Sequence, residues 1–200
     1  KVEVTDATVT INDGNGTAVA ATELSNIGGS TTGTVTVSNA IDITGSTAQV
    51  TAALVTAGTL VEVTDATVTL NDTPTISELN DIAAKTTGVV TATLAANSLA
   101  NLGALNTAST DVITITVNDN AGDALTAANL STLGGKTAGT VTVSNAVAIT
   151  GDHDQVTAAL VTDATKVTAA TALVTINDAN GTAVTAAELS AIGGATAGTV

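Results

Sequence analysis

Phenylalanine, tryptophan, tyrosine, cysteine, methionine and arginine are all missing from this chain, and proline and histidine occur once each. Without large aromatics, a core must be assembled from many Val, Ile, Leu and Ala contacts at roughly 25 cal/mol per Å² of buried apolar surface. Without cysteine no disulfide can form, and the redox compartment is left open. Four lysines stand against eighteen acids, a net charge of -14, which repels nucleic acid phosphates and anionic lipid and favours cations. Nucleic acid is therefore not an expected partner. No apolar run is long enough to span a membrane; a typical one, Val89 to Ala96, is interrupted by Thr91 and Thr93.

What the chain has instead is repetition, with threonine at about a fifth of its positions. The stretch Thr8 to Val37, TVTINDGNGTAVAATELSNIGGSTTGTVTV, returns from Thr114 and again from Leu173 as LVTINDANGTAVTAAELSAIGGATAGTV. Asn12-Asp13 recurs as Asn71-Asp72, Asn118-Asp119 and Asn177-Asp178, so that a longer step alternates with a shorter one. The higher period therefore runs from Asn12 to Asn118 and from Asn71 to Asn177. TVTVSNAIDITGSTAQVTAALVT from Thr34 and TVTVSNAVAITGDHDQVTAALVT from Thr140 keep the same period.

Thr alternates with Val, Ile or Leu in segments beginning near residues 8, 34, 67, 89, 113, 140 and 173, the period-two pattern of a strand with one buried face. Polar Asn/Asp/Gly or Ser-Asn turns follow, and in places a second short apolar segment such as Ala40 to Ile43. Short helices are then announced by capping-box spacing at Ser46/Gln49, Thr75/Glu78, Asp152/Gln155 and Thr185/Glu188, and by Gly28-Gly29, Gly134-Gly135 and Gly193-Gly194 at their ends. These signals predict a repeat solenoid of parallel β coils with short capped helices, running as one continuous array over residues 1–200. The alternative is a string of tandem β-sandwich modules, because the higher period approaches the size of an immunoglobulin-like domain, about 100 residues. The chain starts at Lys1 without Met and stops at Val200 inside a TVTV pattern, so a longer polypeptide is expected.

The TVTVSNAVAITG and AAELSAIGG blocks resemble the Thr/Ala/Val-rich repeats of very large secreted or surface proteins of bacteria, notably cyanobacteria. That resemblance covers nearly the whole chain and implies an extracellular or cell-surface role in a coat, fibre, stalk or adhesin. It carries no catalytic or ligand motif.

Candidate sites are few. The acids of the Asn-Asp turns, Asp13, Asp119 and Asp178, offer oxygen ligands to calcium, although the spacing is not that of an EF-hand or a calcium-binding β-roll, and turn chemistry alone accounts for the residues. No other cofactor is expected. Thr8, Thr10, Thr34, Thr36, Thr67, Thr69, Thr140 and Thr142 should point outward as ladders, a Thr-x-Thr face of the kind seen in ice-binding solenoids. High β propensity explains the same threonines without any ligand. His153, between Asp152 and Asp154, reads as solvated decoration of a helix start, since Ser46-Thr47-Ala48 fills the same place one period earlier. Without a nucleophile and base set, the chain is not expected to be an enzyme. The expected function is structural: a fibre, coat or stalk built by coil stacking and by self-association with like subunits or further repeats. The alternative is an adhesin stalk or ice-binding solenoid using the ladders.

Overall fold

In the computed structural model, which describes residues 5–200, contacts group the chain into two compact units. One unit runs to Leu94 and takes in Asn106–Ile113; the other comprises Ala95–Leu105 and Thr114–Val200.

The first unit alternates strands and helices in the order β1 (Val9–Ile11), β2 (Ala18–Ala20), α1 (Ala21–Gly28), β3 (Val35–Val37), β4 (Asp42–Gly45), α2 (Thr47–Leu54), β5 (Thr67–Leu70), α3 (Ile76–Ala83) and β6 (Val90–Thr93). β1 lies parallel to β3, and Thr36 of β3 bridges to Glu62 on its other side. β2, β4, β5 and β6 form a second parallel set, with Val19 beside Ile43, Ile43 beside Val68 and Val68 beside Val90. α1 packs on α2, and α2 on α3. The core between strands and helices holds Leu24, Ile43, Val50, Leu54, Val68, Leu79, Ile82 and Val90, all fully buried or nearly so. Each such Val, Leu or Ile contributes about 1.5–3 kcal/mol relative to exposure.

The second unit contains α4 (Leu99–Leu102), β7 (Val112–Val117, belonging here from Thr114), β8 (Ala124–Thr126), α5 (Ala127–Gly134), β9 (Val141–Val143), β10 (Ala148–Gly151), α6 (His153–Leu160), β11 (Leu173–Ile176) and α7 (Ala186–Gly194). β7 pairs with β9, while β10 lies between β8 and β11, again all parallel. α5 packs on both α4 and α6, and α6 on α7. Val141 and Val143 are buried, as Val35 and Val37 are in the first unit.

The expected solenoid of β coils is therefore corrected: the chain is an α/β fold of parallel sheets flanked by helices, seven of them among the described residues. The Ala- and Leu-containing segments are not corners inserted between strands. All but the short α4 have eight or nine residues, and they pack on one another, so a helical layer supplies much of the buried core. The filament expected from stacking bare β coils falls with that fold. The β-sandwich alternative fails as well, since sandwiches are built from antiparallel sheets and each pairing described here is parallel.

The expected helix starts are present. Ser46, Thr75, Asp152 and Thr185 each accept from the N3 backbone N–H, and the Gln or Glu at N3 reaches back to the cap N–H. The glycine pairs act differently from a left-handed stop, because Gly29 and Gly135 have φ of -71° and -70°. Their partners Gly28 and Gly134 are instead sites of close approach: a Cβ on either would sit 2.6 Å from the Thr59 carbonyl carbon or 2.7 Å from that of Thr165.

Candidate functional site

In the first unit the candidate threonines lie on two sets of strands. Thr10 aligns with Thr36, and then with Glu62 in place of a third threonine, while Thr8 and Thr34 lie exposed just ahead of the same two strands. Thr69 aligns with Thr44 and Thr91 on β4 and β6, and Thr67 aligns with Asp42, to whose carboxylate its hydroxyl donates at 2.7 Å. In the second unit Thr142 lies between Thr116 and Thr168, with Thr140 exposed one step before β9. Within the first unit, Thr8, Thr10, Thr34 and Thr36 thus go with one set of strands and Thr67 and Thr69 with another. Columns that the sequence pattern does not single out are Thr44-Thr69-Thr91, Thr116-Thr142-Thr168 and Thr126-Thr150-Thr175.

The Asn-Asp turns fall into two classes, the members of each class standing one higher period apart. In the first, Asn39 donates its amide to the Asp13 carbonyl at 2.6 Å, and Asn145 does the same to Asp119 at 2.7 Å. Gly16 and Gly122 complete these loops with φ of 73° and 85°, a region that favours glycine. The Asp119 carboxylate also accepts from the Leu99 backbone N–H at the start of α4 at 2.7 Å, whereas Asp13 is exposed.

In the second class the carboxylate reaches a helix start about one repeat earlier. Asp72 Oδ1 accepts from the backbone N–H and hydroxyl of Thr47, the first residue of α2, at 2.7 and 2.6 Å. The Thr47 hydroxyl, then its N–H, hold Asp72 below the ordinary carboxylate pKa. Asp178 Oδ1 accepts from the backbone N–H of His153, the first residue of α6, at 3.3 Å and meets the ring Nδ1 at 2.8 Å. Asp178 is likewise held low, first by the imidazole contact. His153 is raised, chiefly by that same contact, with Asp178, Asp154 and Glu188 adding attraction and burial opposing it. The imidazole is only 13% exposed, so it is not the solvated decoration expected from its neighbours.

The three calcium candidates stand in different settings: Asp119 and Asp178 each serve a different helix start, and Asp13 lies exposed in its loop. No group of three or more His, Cys, Asp or Glu side chains among the described residues is arranged to hold a metal.

A further contact is not anticipated from the sequence, although its signal, Thr-x-Gly just before a strand, is repeated. The Thr31 hydroxyl donates to the Ala7 carbonyl at 2.7 Å and accepts from Gly33 N–H at 3.0 Å. Thr86 links Ala66 and Gly88 at 2.6 and 2.9 Å, and Thr196 links Ala172 and Gly198 at 2.7 and 3.0 Å. Each glycine is where the two segments touch, since a Cβ on Gly33, Gly88 or Gly198 would lie 2.6 to 2.7 Å from the carbonyl carbon of that partner. Asp111, buried, likewise accepts from the N–H groups of Val90 and Ala108, both at 2.8 Å.

No helix among the described residues is long and apolar enough to cross a membrane. Comparison with family models, curated proteins and solved structures gives no match.

Proposed function

We propose that this chain is a structural repeat segment, a spacer, stalk or coat element of a secreted or cell-surface protein, without a catalytic role. The observation that supports this reading is where the polar side chains go. The Thr-x-Gly hydroxyls, the Asp72 and Asp178 carboxylates and the single imidazole are each engaged with a segment 20 to 25 residues away, one repeat distant. Such a chain holds its own repeats in place, and further repeats or like subunits offer the same contacts. The resemblance of the TVTVSNAVAITG blocks to bacterial surface repeats supports the location. An antibody raised against the chain should label intact cells of its source, and labelling only after lysis would overturn the assignment. Sedimentation should show concentration-dependent association; a monomer at every concentration would remove the self-association part.

The second reading, an adhesive or ice-binding surface, is favoured by the Thr116-Thr142-Thr168 column, whose members lie in register on adjacent parallel segments. Thermal hysteresis that vanishes in Thr142→Tyr would support it. Absence of hysteresis in the parent chain would eliminate the ice-binding form.

A further inference from the structure

His153 occupies the position, one higher period on, that Thr47 holds in the first unit, and each is the first residue of its helix. Each also gives two contacts to one carboxylate oxygen, of Asp72 or of Asp178, 25 residues further along. The two contacts differ in one respect: a hydroxyl cannot titrate near neutral pH, and an imidazole does. We propose that His153 and Asp178 form a pH-responsive clamp between the first turn of α6 and the loop leaving β11, closed in mildly acidic solution and loosened in mildly alkaline solution. Thr47 and Asp72 form its pH-insensitive counterpart over the same range.

The surroundings of the ring are acidic from every packed element that carries charge. On its own helix Asp152 caps the N-terminus, and Asp154 Oδ1 lies 3.4 Å from Nε2. From the β11–α7 loop comes Asp178, and from α7 Glu188. α5, β10 and β11, with sequences AANLSTLG, AITG and LVTI, bring no titratable group. The second carboxylate oxygen of Asp178 is buried without a hydrogen-bond partner, so an ionised Asp178 relies on the imidazolium for compensation. The positive end of α6 opposes a cation at its first residue, whereas Asp178, Asp154 and Glu188 favour one.

The direction follows from linkage. A histidine whose folded-state pKa is raised above its ordinary 6.5 adds stability that is fully present below that value. The contribution disappears as pH rises through the folded-state pKa. Asp178, held low, stays ionised throughout this range. Neutralisation leaves the ring a hydrogen-bond donor at most, without the charge that made the bond strong.

Because the chain has one histidine, the imidazole resonances in an NMR titration belong to His153 without assignment by mutation. They should titrate above 6.5 in the parent chain and fall back toward it in Asp178→Asn. Amide exchange at the first turn of α6 should accelerate several-fold between about pH 6 and about pH 9 beyond the intrinsic base-catalysed increase. The first turn of α2 should show no such excess. His153→Thr, which installs the residue of the first unit, should abolish the excess. An imidazole titrating at or below 6.5, or unmoved by Asp178→Asn, would overturn the clamp, as would the same excess in His153→Thr or at α2.

Discussion

Gly88→Ala isolates the close approach on which the contact between neighbouring repeats depends. The added methyl would lie 2.5 Å from the Asp65 carbonyl oxygen and 2.6 Å from the Ala66 carbonyl carbon. Ordinary contact starts near about 3.5 Å, so backbone must retreat by about 1 Å. That retreat opens the two hydrogen bonds of the Thr86 hydroxyl, to Ala66 O at 2.6 Å and from Gly88 N–H at 2.9 Å. Overpacking costs about 1–3 kcal/mol and two bonds about 1 kcal/mol each, a loss of about 2–5 kcal/mol with partial relaxation. Gly58 provides the internal control: nothing lies within 4 Å of a Cβ built there and its φ is not positive. Gly58→Ala should be neutral or stabilise by about 0.4–1 kcal/mol through the unfolded chain. Urea unfolding followed by far-ultraviolet circular dichroism suits a chain without aromatic residues. A Gly88→Ala variant as stable as Gly58→Ala would refute the reasoning.

Three further outcomes are expected. Leu79→Ala and Leu130→Ala, at fully buried positions, should each cost about 2–5 kcal/mol, whereas exposed Thr69→Ala should change stability by less than about 0.5 kcal/mol in the same urea assay. Asp72, Glu78, Asp178 and Glu188 are all held below their ordinary pKa values of 3.8 and 4.5. Their contribution is complete above those values and is lost as pH falls through the lowered ones, so the urea midpoint should drop steeply in that acid range, and less steeply in Asp72→Asn. A flat profile would contradict the carboxylate contacts. Calcium or a chelator should leave the melting temperature unchanged, because the Asp119 and Asp178 carboxylates already accept from helix starts; a saturable rise with calcium would show that they rearrange around the ion.

Much of the local structure is legible because it is written in adjacent residues. Ser46 with Gln49 or Thr185 with Glu188 fixes a helix start within one turn, and alternating Thr and Val marks β3 and β9. The neighbour relations are less legible. Asn12-Asp13 and Asn71-Asp72 are the same dipeptide, yet β1 lies beside β3 whereas β5 lies beside β4, and only Asp72 meets a helix start. The long interval from Thr34 to Thr67 misleads for a related reason. The segment that aligns with β3 contains Glu62, which interrupts the Thr/Val alternation, so the true neighbours are Thr36 with Glu62 and Asp42 with Thr67. The character of the fold escapes a reading of the sequence because a capping box announces that a helix starts and not that it packs against the next one. His153 reads as solvated because its partner, Asp178, stands 25 residues away in a different element.

Within each unit, neighbouring strands from successive segments lie side by side in parallel register, with polar groups committed to one another. Cysteine-pair trapping tests it most directly, since the chain has no native cysteine to interfere. Thr44 and Thr69 occupy opposed positions on β4 and β5, while Thr67 pairs with Asp42 and so is offset from Thr44 along the strand. Under mild oxidation Thr44→Cys with Thr69→Cys should form a disulfide readily, because adjacent parallel strands place opposed Cα atoms about 4.8 Å apart. Thr44→Cys with Thr67→Cys should not. Efficient bridging of the offset pair in preference to the opposed pair would contradict the register, and with it the placement of every contact between repeats.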